Sequence, residues 1–502
     1  MTKPKKIPFT ALPGARKLLA VPLLAALLAA CDIFPEFVKN ISPGDPGEGE
    51  LTEEYFDLDE LDNDEFYAQD MVNEKYYKVK ADILAEGASC VIWAERDCGV
   101  TKEQAEGIAA EYDTVIRPRI VKAFTGTFDI LGYANNLAGR SDGKITILLL
   151  DIRDGYKNPE KDSYVAGYFF SGNFFAKGKI PNSAHYSNSR DMIYIDTYPG
   201  LKMKPNQTYA TFAHELQHLI NYITSRRMGR GYMDTWVDEG LSSWAEYLYY
   251  GDNPTDRCNN FLYDRAGTIA KGNNFFVWGN HDENPLSILD DYATVYLFFR
   301  WLSLHAERKL SAADYSRFFY NIITSANPDY RAVTGAAANI TPDWNDWEIL
   351  LRTWLAANYS PANTVYGYIN DTNIRQYIKV KPIARNTSIL LYPGEGVYSK
   401  INNYFTPSGV SGNNIRYAGL SANSSGISTS SPYTGNVLLT FNANASNKTG
   451  AETGRLTGAA STSSPLMTAD RSAAELTGPY VIDARDFLGR NRGINIPTED
   501  YR

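Results

Sequence analysis

Ala210-Thr211-Phe212-Ala213-His214-Glu215-Leu216-Gln217-His218-Leu219-Ile220-Asn221-Tyr222 is the stretch on which the reading of this chain turns. Tyr209, Phe212, Ala213, Leu216, Leu219, Ile220 and Ile223 recur at spacings of three and four, the signature of an amphipathic helix. On a helix of about 3.6 residues per turn, His214 and His218 share one face and fall outside that apolar stripe. Two imidazoles so placed can hold one metal ion, with Glu215 beside them in reach of a water at that ion. The bland alternative is a pair of satisfied core histidines. A second stretch weighs against it. Trp236-Val237-Asp238-Glu239-Gly240-Leu241-Ser242-Ser243-Trp244-Ala245-Glu246 reads as another helix, roughly 235–250, and offers the carboxylate of Glu239. Two His and one Glu are an established catalytic zinc set that leaves one position for water.

The flanks supply a sheet and a helical lobe. Tyr77 to Leu84 and Ala88 to Ala94 read as strands, and Thr101-Lys102-Glu103-Gln104 as a capping box before a helix that Pro118 bends or ends. Lys144 to Asp151 is an apolar, β-branched run expected at the centre of a sheet. Gly167 to Phe170 is an edge segment and Met192 to Asp196 a further strand, and Asn206 is the expected cap of the His-bearing helix. Beyond a long connection over 252–285, helical periodicity returns at Leu289 to Leu304, Ser311 to Ser325 and after Thr341-Pro342-Asp343. From about residue 366, short apolar pieces alternate with Gly, Ser, Asn and Thr, the pattern of a small antiparallel β domain. The fold class is therefore α+β.

The amino terminus is an address. Lys3, Lys5, Lys6, Arg16 and Lys17 precede the apolar run Leu18 to Leu28, too short to span a membrane as a helix. Leu28-Ala29-Ala30-Cys31 resembles a bacterial lipobox, which implies cleavage of residues 1–30 and a lipid on Cys31. The expected location is a bacterial cell envelope, periplasmic or surface-exposed, with the membrane reached through that lipid. Residues 1–30 hold five basic and no acidic residues, so the formal charge of 49 − 58 = −9 becomes 44 − 58 = −14 after cleavage. Residues 44–70 carry twelve Asp or Glu and no Lys or Arg, and 31–74 read as an acidic tether. No basic stripe suits nucleic acid. Cys90 and Cys98 are close enough in sequence either to bridge or to remain two thiols.

The segments Ala213 to Ile220 and Val237 to Glu246 together resemble the gluzincin pattern of zinc peptidases; residues 219–238 lie between the second His and the third ligand. Glu239, Gly240 and Glu246 are also similar to the aminopeptidase branch, but the Gly-x-Met-Glu-Asn segment that grips a substrate amino terminus is absent from the sequence. Ile147 to Asp151, Gly167 to Phe169 and Met192 to Thr197 look like the hyicolysin family of bacterial secreted zinc peptidases, a resemblance covering residues 80–360. It implies a metalloprotease-like mixed sheet and helical lobe around one Zn2+ held by His214, His218 and Glu239, with Glu215 as general base. Thermolysin-like members carry Asp four residues after the ligand Glu. Ser243 stands there, which leaves Asp238 and Glu246 to orient the imidazoles. Tyr292 is the candidate donor to the oxyanion, with Tyr296 and His281 as alternatives.

The expected organisation is a signal peptide (1–30), a tether (31–74), a zinc peptidase domain (75–365, divided at 230 into sheet lobe and helical lobe) and a β domain (366–502). The expected activity is a lipid-anchored zinc endopeptidase acting on protein or peptide. The rival reading is a surface adhesin or binding protein that keeps the fold with little turnover, and a metallo-aminopeptidase is a third.

Overall fold

The computed structural model describes residues 61–73, 75–125, 143–156, 164–174, 186–264, 267–272, 275–276, 287–380, 382–383, 388–421, 424, 426–446 and 451–455. The expected signal peptide, Cys31 and His281 lie outside them.

A six-stranded mixed sheet is assembled from β1 (Glu65–Asp70), β2 (Lys75–Glu86), β3 (Cys90–Glu95), β4 (Ile145–Leu150), β5 (Gly167–Phe169) and β6 (Met192–Asp196), in the order β1-β2-β3-β4-β6-β5. β3, β4 and β6 run parallel, Ile147 facing Ile92 on one side and Ile193 on the other. The apolar runs of β4 and β6 are buried along their whole length, as central strands covered on both faces must be. β5 closes one edge, antiparallel to β6.

β1 corrects the sequence reading. The span taken as tether contains a strand, every residue of Glu65–Asp70 buried and paired with β2. Its acidic residues masked it. Glu65 meets Lys78 and Lys80, and Asp70 caps its own turn by accepting from the backbone N–H of Val72 and Asn73.

Parallel strands need a crossover, and the first is helical. α1 (Lys102–Glu111) starts on the Thr101/Gln104 capping box. A π turn over Tyr112–Ile116 then leads without a break into α2 (Arg117–Thr125), and Pro118, which has no N–H to give, follows directly on that turn. The interruption therefore precedes Pro118. Cys90 and Cys98 are free thiols, and burial pushes the Cys90 thiol up to about 12.

β6 launches the helix of the opening motif. Asp196 accepts from Gly200 N–H at 2.7 Å and Ile152 N–H at 3.2 Å, fixing the turn into α3 (Pro205–Arg227). The cap is Lys204 with Pro205 at the first helical position, two residues before the expected Asn206. α4 (Thr235–Tyr250) packs along α3 and ends on Gly251 in the left-handed region (φ 68°). α5 (Thr255–Tyr263), α6 (Thr268–Lys271) and α7 (Ser287–Lys309) follow. A Cβ at Gly240 would collide with the Phe299 ring, so this glycine lets α4 and α7 approach closely, one residue beyond Glu239.

The helical lobe continues through α8 (Ala312–Ser316), α9 (Phe318–Ile323) and α10 (Tyr330–Ala337) to α11 (Trp347–Tyr359), which is capped by Asp346 after a 3-10 turn at Pro342–Asn345. After α12 (Thr372–Arg375), the remaining strands are β7 (Ser388–Leu391), β8 (Gly396–Phe405), β9 (Ile415–Leu420), β10 (Tyr433–Asn442) and β11 (Glu452–Arg455). They form antiparallel sheets β8-β10-β9 and β11-β7. These dock on α11: Tyr398 donates to Leu355 O at 2.7 Å, and Arg416 donates to Glu348 at 2.7 Å. One apolar core runs from the large sheet through α3, α4 and α7 to β10. The whole is α+β. Among the described residues, no helix is long and apolar enough to cross a membrane.

Candidate metal centre

α3 and α4 carry the site. His214, Glu215, His218 and Glu239 are 0, 0, 1 and 2% exposed. Oε2 of Glu239 lies 3.3 Å from Nε2 of His214 and 3.5 Å from Nε2 of His218. One donor atom from each of the three residues falls within 4.8 Å of the others. The opposite ring nitrogens are engaged: His214 Nδ1 donates to Glu246 at 2.8 Å and His218 Nδ1 to Asp238 at 2.9 Å. Each imidazole therefore turns an Nε2 lone pair toward Glu239, the tautomer that metal ligation requires.

The local charge points the same way. Burial pushes His214 down to about 4, so its imidazole is neutral at pH 7. Burial likewise pushes Glu215 up to about 8, with Glu239, Glu246 and Asp238 adding repulsion. Burial also raises Asp238, but the charge and hydrogen bonds of His218 and Asn221 outweigh it and hold the carboxyl below its ordinary range. Both oxygens of Glu215, Nε2 of His214 and Oε2 of Glu239 lack a hydrogen-bond partner. A buried carboxylate without partners is costly unless a cation completes it. Two imidazoles and a carboxylate are a zinc donor set, so these residues fit the ion the sequence implied.

The other expected residues are placed as follows. Tyr292, on α7, is buried with its ring centroid 6.4 Å from that of His214. Tyr296, one turn on, donates to Asn253 at 2.7 Å instead. Ser243 is buried within α4. His305 bonds Gly367 O at 3.0 Å, away from the site. A small recess, no larger than a water or so, adjoins His218 and Asp238 and is walled by Phe169 of β5 with Tyr222, Tyr232 and Met233.

Two residues escaped the sequence reading. Asn221 donates to Asp238. It sits three residues after His218 on the same face, a signal that helical spacing could have supplied. Arg257 donates to Glu246 at 2.7 Å and is 1% exposed. It comes from α5, and nothing in its local sequence marks it.

No family model matches the chain. Over 249 residues, 48% of its length, the chain is 27% identical to the neutral metalloprotease ShpI of Staphylococcus hyicus. The chain is related to a metallopeptidase. The matched part is 51% of ShpI, so the chain spans about half the length of that curated relative.

Proposed function

We propose that this chain is a zinc-dependent endopeptidase of the gluzincin type, anchored to a bacterial envelope membrane by lipid on Cys31. The observation that carries the catalytic part is the buried convergence of His214, His218 and Glu239 beside a Glu215 carboxylate with no hydrogen-bond partner. The kinship with a neutral metalloprotease supports it.

His214, His218 and Glu239 would hold the ion, and when bound zinc supplies Lewis acidity toward the scissile carbonyl and toward water. Glu215 takes the proton of the attacking water and delivers it to the leaving amine. Asp238 and Glu246 keep the imidazoles in the ligating tautomer. Tyr292, its ring centroid 6.4 Å from that of His214, would donate to the carbonyl oxygen as charge develops on it. Extended substrate pairs with the edge strand β5. Residues 75–365, together with β1, form the peptidase domain, with 366–502 the β domain and the residues between Cys31 and β1 the tether.

Glu215→Gln decides the catalytic reading. It should retain zinc, by metal analysis, and lose about 10²–10⁴-fold in kcat on an internally quenched peptide blocked at both ends. Full activity in that variant would sink the assignment. Turnover of free-amino peptides alone would replace endopeptidase by aminopeptidase. Incorporation of labelled palmitate that persists in Cys31→Ser would remove the anchor.

A further inference from the structure

Arg257 is a buried guanidinium on α5, a helix that contributes no candidate ligand. Its Nη2 donates to Glu246 Oε1 at 2.7 Å, the same oxygen that accepts from His214 Nδ1 at 2.8 Å. Its Cζ lies 4.4 Å from the centroid of the Tyr292 ring. One planar group thus touches the carboxylate behind a metal ligand and the face of the tyrosine beside that ligand.

Stability is a weak reason for such an arrangement. A buried ion pair is often no better than apolar residues of the same volume, because desolvating both charges offsets their attraction. Geometry is a stronger one. Left alone, the Glu246 side chain could rotate on its helix and let the His214 ring turn. A fixed donor to the same oxygen holds the carboxylate, and through it the ring plane and the Nδ1–H tautomer. The flat guanidinium also stacks on an aromatic face, which an ammonium cannot reproduce.

We infer that Arg257 is a positioning residue that locks His214 through Glu246 and sets Tyr292 against the site through its ring face. The inference rests on the metallopeptidase reading above.

The test uses the full chain as wild type, Arg257→Met and Arg257→Lys. Zinc affinity is measured on metal-free protein by competition with a chromophoric chelator, and kcat and KM on a blocked quenched peptide. Arg257→Met should bind zinc about 10–100-fold more weakly, the usual loss for a partner behind a ligand. Arg257→Lys keeps a positive charge at Glu246 and should recover most of that affinity. Its kcat should stay down by about 10- to 100-fold at near wild-type KM, because the plane against Tyr292 is gone. A purely structural arginine would lower thermal stability and leave zinc affinity unmoved. Wild-type zinc affinity in Arg257→Met, or wild-type kcat in Arg257→Lys, overturns the inference. Should Arg257→Met fail to fold, Arg257→Lys decides alone. A wild-type chain that binds no zinc overturns the metallopeptidase reading itself, and shows that before any variant is compared.

Discussion

Among the described residues, two regions bury histidine, and they treat it differently. In the helical lobe, His305 packs between Trp301 and Trp344, with ring centroids 5.0 and 5.2 Å away, and its Nε2 meets the carbonyl of Gly367. At the α3–α4 junction, His214 and His218 are equally buried, but their Nδ1 atoms bond carboxylates and their Nε2 atoms converge on Glu239. Burial alone does not tell a structural histidine from a ligand. The partner of each ring nitrogen does: backbone carbonyls complete a core residue, whereas a carboxylate behind the ring leaves the other nitrogen a lone pair to offer a cation.

That contrast can be broken by removing one group from each region. The largest effect belongs to Glu239→Gln. It leaves two imidazoles without their shared carboxylate and should weaken zinc binding by more than the about 10–100-fold expected for a residue behind a ligand. Chelator competition measures it, and unchanged affinity would place the ion elsewhere. His305→Leu should do the reverse: zinc affinity at the wild-type level and a stability loss of about 1–3 kcal/mol by urea unfolding, because the Gly367 carbonyl loses its donor.

The smallest effect is a pH dependence in the same variant. Burial pushes His305 down to about 4 against an ordinary value of 6.5, the contacts with Gly367 and Tyr366 opposing it. A base depressed on folding contributes stability that is present above pH 6.5 and lost as pH falls toward about 4, since the unfolded chain takes up the proton first. Wild type should therefore lose stability across that window, and His305→Leu should lose less of it. Parallel curves for the two proteins would show that His305 does not titrate as its burial implies.

Other parts of the molecule repeat the lesson at larger scale. β4 was legible as a central strand because an unbroken apolar run fits only a position covered on both faces. β1 was not, because its acidic residues look solvated until Lys78, Lys80 and a tight turn are brought to them by folding. The expected cap at Asn206 fell instead at Lys204, since Pro205 is already suited to the first helical position. Cys90 and Cys98, close in sequence, remain unbridged.

The sequence by itself determined what periodicity and capping can determine. It placed the two site helices, put His214 and His218 on one face and marked Glu239, Asp238 and Glu246 as carboxylates at useful spacing, because each of these depends on neighbours within a few residues. Only the tertiary structure decided which nitrogen of each ring turns inward, that Tyr292 rather than Tyr296 lies beside His214, and that Arg257 stands behind Glu246. Those relations join helices separated by loops. They are set by how closely α4, α5 and α7 pack, which Gly240 and its contact with Phe299 control from a distance no local pattern spans.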